Sequence, residues 1–339
     1  MNQSYKTIFS KVHQCFVVVS ELTKSHGKGS TSVNCGAKAK GRRMALAFAI
    51  ALSVTGGAVF TMPQVASAAD IVITSGSVII NDDTHKADDY YLNGSNITFS
   101  VNAGSVVNSI SGNSDAAVSG NTVTINGGTV NNADTSWIEY PAGSGNWVGK
   151  PNLTGGVSTS GAVTGNQVSI TDATLGGDYP TVYGGHSLAG NVSKNSVTVK
   201  SVNSDLYVYG GSSETGVAGG DTAADGNIVT VKSGEVYYVV GGISTSGDVK
   251  NNKAVIEGGT VHAVYGGDSA ISGGATGNTV SISGGTVHGT VFGGYSILRG
   301  ATTGNTVILS KQEGKAAPEL NGTVYGGQSY GDAVTGNTL

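Results

Sequence analysis

The chain has 339 residues, room for about two domains at ~150 residues each, yet only 12% of it is charged and 6% aromatic, with 55 glycines and 5 prolines. At 38% hydrophobic, much of that Val and Ile, it is too apolar and too rich in strand formers to be disordered. No glycine recurs at every third position, as collagen requires. A long, glycine-punctuated, β-rich chain remains.

The net charge of -4 hides a division: residues 1–68 carry eight Lys/Arg and one acid, Glu21, for +7, while residues 69–339 carry ten basic and 21 acidic residues, for -11. The second part therefore has no basic face for nucleic acid, which is not expected as a partner. Both cysteines, Cys15 and Cys35, fall in the first part, so the remainder has no disulfide framework.

Residues 1–68 read as an address. Met44 to Val54 is an apolar run preceded by Lys38, Lys40, Arg42 and Arg43 and followed by Ala66-Ser67-Ala68. A basic n-region, a short h-region and small residues at the -3 and -1 positions, Ala66 and Ala68, predict a secretory signal peptide cleaved before Ala69. The run is too short to span a bilayer, which takes ~20 apolar residues. The extension of 43 residues ahead of it is unusual. Met1-Asn2, Tyr5-Lys6, Ile8-Phe9-Ser10-Lys11, the run from Cys15 to Leu22 and Lys24-Ser25-His26-Gly27-Lys28 give it a dense resemblance to the extended signal peptide region of Gram-negative type V secretion proteins. The resemblance implies export by the inner-membrane machinery of a protein bound for the outer membrane, the cell surface or the medium.

The next elements are less regular. Residues 69–120 hold strand-like runs (Ile71-Val72-Ile73, Val78-Ile79-Ile80, Ile97-Thr98-Phe99) and suit an N-terminal capping region. From residue 121 the chain repeats. Asn-x-Val-x-(Ile/Val/Leu) recurs at Asn121, Asn166, Asn195, Asn227, Asn278 and Asn305, with a weaker copy at Asn252. The later copies are each followed by Val-aromatic-Gly-Gly: Val182-Tyr183, Val208-Tyr209, Val239-Val240, Val264-Tyr265, Val291-Phe292 and Val324-Tyr325, each before two glycines. The six intervals from Asn166 to Asn337 average 28.5 residues.

Each repeat reads as strand, turn, strand, turn. Val280 and Ile282 alternate with Thr279 and Ser281, as in a half-buried strand. Gly284-Gly285 and Gly293-Gly294 are both expected to turn the chain. A single rung buries too little to offset strand ordering at about 1–2 kcal/mol per residue, so rungs must stack at ~4.8 Å. The predicted fold is all-β: a right-handed parallel β-helix of imperfect repeats of about 28 residues, some eight rungs and roughly 40 Å long. An antiparallel sandwich gives no reason for the repeat.

A long insertion at about 131–164 contains both tryptophans, Trp137 and Trp147, with Tyr140. Loops of this length are usually functional or disordered. With the aromatic series Tyr183, Tyr209, Tyr265, Phe292 and Tyr325, these residues form the candidate binding surface. Val precedes the aromatic position in all six copies, so if the Val column faces the core the aromatics face out, either as an exposed stripe for glycans or partners or as a stabilising ladder beside a corner.

No catalytic set is read. Gly267-Asp268-Ser269 resembles a serine protease nucleophile loop, but Ser187, Ser213, Ser244, Ser296 and Ser329 occupy the same repeat position, which makes the serine a turn device. His262 and His288 share one repeat position and are read as a solvated pair, since stable metal sites generally need three or four ligands. No calcium-binding nonapeptide and no phosphate loop occurs, so no cofactor is expected.

The Gly-Asn-Thr-Val and Val-Tyr-Gly-Gly repeats are similar to passenger repeats of autotransporter adhesins of the monomeric type. That resemblance implies a surface-displayed adhesin or structural protein in cell or biofilm attachment, with a host-cell or bacterial surface receptor or glycan as partner. It also implies a C-terminal outer-membrane β-barrel, which this sequence does not contain; ending at Gly336-Asn337-Thr338-Leu339, inside a repeat, it is expected to be a fragment of a longer product. Two-partner exoproteins and trimeric adhesins fit the repeats less well. The competing class is a β-helical polysaccharide-active enzyme, but such enzymes cluster charged residues on one face. Here acids are scattered and Arg299 is the only arginine after the signal, so a non-enzyme is expected.

Overall fold

The computed structural model describes residues 5–10, 15–20, 70–131, 137–139, 147–149, 153–177, 179–203 and 205–339. The chain divides into two units, Met1–Met44 and Ala45–Leu339. In the first, Tyr5–Ser10 pairs antiparallel with Cys15–Ser20. The cleavage site at Ala66, Ala68 and Ala69 and the aromatic Tyr140 lie outside the described residues.

The second unit is the parallel β-helix that the repeats predict. From Val118 onward each turn of the chain visits three stacks of parallel strands in the same order. Among the described residues the turns before it lack the third, and Val106–Val107, Thr129–Val130 and Thr174–Leu175 form a short separate parallel sheet. The first stack has nine strands, from Ser77–Ile80 to Thr306–Leu309, of which the last seven are the Asn-headed ones. The second holds the Val-aromatic-Gly-Gly strands, such as Thr181–Ser187, Tyr207–Ser213 and Val291–Ser296. The third is made of two-residue strands from Val118–Ser119 to Val334–Thr335. Pairing is in register from rung to rung: Val280 lies opposite Ala254 and Val307, and Ile282 opposite Ile256 and Leu309.

Residues 70–120 carry this same pairing. Thr98–Asn102 stacks between Ser77–Ile80 and Thr122–Asn126, and Asp89–Leu92 pairs with Asp70–Ile73 and with Ser109–Ser111. The solenoid therefore already runs through the segment expected as a cap. Part of the insertion belongs to it too: Leu153–Thr154 and Val157–Ser158 pair with Thr181–Ser187. Within the remaining insertion Trp137–Glu139 and Trp147–Gly149 form an antiparallel pair.

Val and Ile columns fill the interior because alternation sends every second side chain inward. Val123, Val168, Val197, Val229, Val280 and Val307 form one ladder, and Ile125, Ile170, Val199, Val231, Ile256 and Ile282 another, all buried. At about 1.5–3 kcal/mol per buried side chain, stacking supplies what one rung cannot. In the early rungs larger residues line the interior: Phe99, in the column of Val123, and Tyr90, across from it, are fully buried, their ring centroids 4.8 Å apart.

The two glycine pairs behave differently. Gly285 has φ +80°, a corner conformation that suits glycine. Gly293-Gly294 does not turn the chain: both lie inside the strand Val291–Ser296, as does each equivalent pair in its own strand. Across the pair the in-out alternation slips by one residue, since Val291 and Ser296, five apart, are both buried.

Candidate functional site

The slip is made for asparagine. Asn121, Asn166, Asn195, Asn227, Asn252, Asn278 and Asn305 are fully buried in one column. From Asn195 to Asn305 each Oδ1 accepts two bonds from the rung before it: Asn278 Oδ1 takes Asn252 N–H at 2.9 Å and Asn252 Nδ2 at 3.1 Å. From Asn195 to Asn305 each Nδ2 also donates to a carbonyl of the preceding rung, as Asn278 does to Val249 O at 3.0 Å. A β-carbon on the second glycine of each pair would meet this amide; on Gly294 it would lie 2.4 Å from Asn305 Cγ. The Gly-Gly motif is thus space for the asparagine ladder.

The serine that follows closes the next corner. Ser244 Oγ donates to Gly216 O and accepts from Gly247 N–H, each at 2.9 Å, and Ser213 repeats the pattern with Gly190 O and Gly216 N–H. Ser269, fully buried, donates to Gly273 O at 2.8 Å. The turn role expected for these serines is the one they have.

The Val column, Val182 through Val291, faces the core, so the aromatic column faces away from it. It is not an open stripe. Tyr183 is 4% exposed and Tyr265 and Phe292 are 8% exposed; only Tyr325, at 39%, is open. The rings stack along the rung axis: Tyr183 on Tyr209 at 4.9 Å and 16°, Tyr265 on Phe292 at 5.1 Å and 27°, Phe292 on Tyr325 at 5.2 Å and 9°. Where Val240 interrupts the series, Tyr238 carries it, stacked on Tyr265 at 5.3 Å with its hydroxyl 3.1 Å from that of Tyr265. Stacking spends the ring faces inside the ladder.

A second aromatic column runs alongside. Tyr207 contacts Tyr179, Tyr237 and Tyr238 at 5.4–5.7 Å, and Tyr237 stacks on His262 at 4.7 Å. Tyr179 and Tyr330 are more exposed still than Tyr325, at 53% and 70%. Tyr207 and Tyr238 were legible in principle, since each stands one residue before the Val column and so shares the aromatic face. Tyr179, Tyr237 and Tyr330 have no repeat signal.

Three titratable groups lie against these rings without an ion-pair partner. Burial pushes the Asp268 carboxyl up to about 7, and its Oδ1 has no hydrogen-bond partner. Burial likewise raises Glu214, partly offset by the hydrogen bond from Thr245 Oγ1 at 2.6 Å. It lowers His186 to about 4, with Nδ1 unpartnered and the ring 5.2 Å from Tyr183. Desolvation also raises the Tyr183, Tyr209 and Tyr265 hydroxyls. Among the described residues no group of three or more His, Cys, Asp or Glu is placed to hold a metal ion, and no helix is long and apolar enough to cross a membrane.

The structure does not bring the insertion tryptophans and the ladder into one described site. For Trp137 and Trp147 only the strand pairing is described, with Trp137 opposite Gly149 and Glu139 opposite Trp147.

Residues 1–50 match the family described as the Extended Signal Peptide of Type V secretion system. That signal is typical of type V secretion autotransporters and marks the chain for export across the inner membrane; the β-helical unit behind it fits a passenger domain. No curated protein and no solved structure matches the chain.

Proposed function

We propose that the β-helical unit is a surface-displayed passenger that acts as an adhesin or structural surface protein in cell or biofilm attachment. The observation that carries this reading is a rigid repeat interrupted between Thr129–Val130 and Leu153–Thr154 by a 22-residue stretch, 131–152, that holds both tryptophans. Aromatic side chains in a loop on a rigid scaffold are a common way to build recognition. The partner is a receptor or glycan on a host or bacterial surface, and an outer-membrane β-barrel supplies the anchor.

A polysaccharide-active enzyme is the second reading, favoured by Glu214 and Asp268, two carboxyls of raised pKa beside aromatic rings. Glu214 is 3% exposed and bonded to Thr245, which speaks for a structural role.

The test replaces residues 132–152 by a short Gly/Ser linker and compares melting temperature and adhesion. Lost adhesion with unchanged melting supports the binding loop. A large fall in melting temperature makes the segment a lid over the solenoid, and full adhesion with full stability moves recognition to the Tyr183–Tyr325 ladder. Release of reducing sugars from a polysaccharide, abolished by Glu214→Gln, would replace the adhesin by the enzyme.

A further inference from the structure

His262 and His288 occupy one position on adjacent rungs, because Val261 and Val287 before them are paired. Both side chains are exposed, and their ring centroids are 5.9 Å apart with planes tilted by 48°. The pair is bracketed along its column. On one side Tyr237 stacks on His262 at 4.7 Å and 27°; on the other Asn321 Nδ2 lies 3.4 Å from His288 Nδ1. No Lys or Arg shares these four rung positions, and the column two residues upstream runs Glu235, Thr260, Thr286, Glu319.

We propose that His262 and His288 form a chelating pair for a divalent transition-metal ion of the imidazole-preferring class, Cu²⁺, Ni²⁺ or Zn²⁺. Strand spacing of ~4.8 Å lets two imidazoles on neighbouring rungs close on one ion at ~2.0–2.1 Å each without moving the backbone. Neutral imidazole is the ligand these ions prefer, and water completes the coordination of an exposed site. Tyr237 fixes the orientation of one ring. Asn321 serves the other: with its amide turned over, its oxygen accepts the His288 Nδ1–H, leaving Nε2 free for the ion, the arrangement by which outer groups orient metal-bound histidines. The flanking Glu235 and Glu319 add negative potential. Read from the sequence alone, the two histidines are only a pair; Tyr237 and Asn321 are joined to them by the fold.

The ion ties two rungs together, so its binding must appear as stabilisation of the folded chain. The experiment uses the full chain with Cys15 and Cys35 alkylated, since thiolates bind the same ions, and titrates it with CuCl₂ and, separately, NiCl₂. The expected result is one saturating Cu²⁺ site whose electron paramagnetic resonance spectrum shows coupling to two imidazole nitrogens, with a Ni²⁺-dependent rise in melting temperature. His262→Asn and His288→Asn should each weaken that site at least ~10-fold and remove the rise, with circular dichroism unchanged because both side chains are exposed. A saturating site retained by both variants, a spectrum without the two-nitrogen signature, or no saturating site at all would overturn the assignment.

Discussion

The side chain of Asn278 fills the space that a β-carbon on Gly267 would occupy: that carbon would lie 2.5 Å from Asn278 Cγ. The two most repeated motifs of the sequence are therefore halves of one device, an amide column on one face and the clearance for it on the next. Gly267→Ala should destabilise by about 1–3 kcal/mol through overpacking. Asn278→Ala removes the acceptor of Asn252 N–H and Nδ2 and leaves two buried donors unmet, which should cost roughly 2–4 kcal/mol. Denaturant melts of the two single variants check both values, and the double variant should cost less than their sum, because removing the amide relieves the clash.

Strand phase is tested by Val280 and Thr279. Val280 is fully buried between Ala254 and Val307, whereas Thr279 is partly exposed. Val280→Asp should cost several kcal/mol, on the order of the penalty for an unpaired buried polar group, and Thr279→Asp should stay within about 0.5 kcal/mol of the parent. Equal melting temperatures for the two would contradict the register.

Asp268 and His186 pull the pH dependence of stability in opposite directions. Asp268 has a folded pKa of about 7, above its ordinary value of 3.8, so its contribution is complete below pH 3.8 and is lost as pH rises toward 7. His186 has a folded pKa of about 4, below the ordinary 6.5, so its contribution is complete above pH 6.5 and is lost as pH falls toward 4. The two slopes oppose each other over the same window. Asp268→Asn should therefore be more stable at pH 6.5 than at pH 4.5, and His186→Asn should show the reverse, both followed by thermal melts.

Export should remove everything up to Ala68. Amino-terminal sequencing of exported protein is expected to begin at Ala69, one residue before the first solenoid strand, Asp70–Ile73. A mature protein that retains Cys35 would refute the site.

Much of this fold was legible because its periodicity is written in residues that have no alternative role. Val280 and Ile282 alternate as a strand must, and the 28-residue recurrence already implies stacking. The first rungs were not legible, because Ile97 stands where later rungs have Asn, offering only its N–H to Asn121 Oδ1 at 2.9 Å, and Tyr90 stands in the Val column. Of the two glycine pairs expected as corners, Gly284-Gly285 is one and Gly293-Gly294 is not. Glycine has two uses, positive φ and the absence of a side chain, and a sequence does not say which is in play until the neighbouring rung is placed. The outward direction of the aromatic column followed from the constancy of Val; its closure by stacking did not, because Tyr238 joins it from a position that is aromatic in only two copies and Tyr295 from one that is otherwise not Tyr.

The asparagine column also gives the rod a polarity. Asn252 N–H and Nδ2 are satisfied by Asn278, and Asn278 N–H and Nδ2 by Asn305, always by the rung that comes later in the chain. A solenoid growing from its amino-terminal end carries an unmet pair of donors at its tip after every added rung. One growing from its carboxy-terminal end lays each new pair onto an acceptor already in place and exposes instead the Oδ1 and the Nδ2–H that the earlier rung will meet. The two ends of the stack therefore present different hydrogen-bonding faces to whatever adds to them.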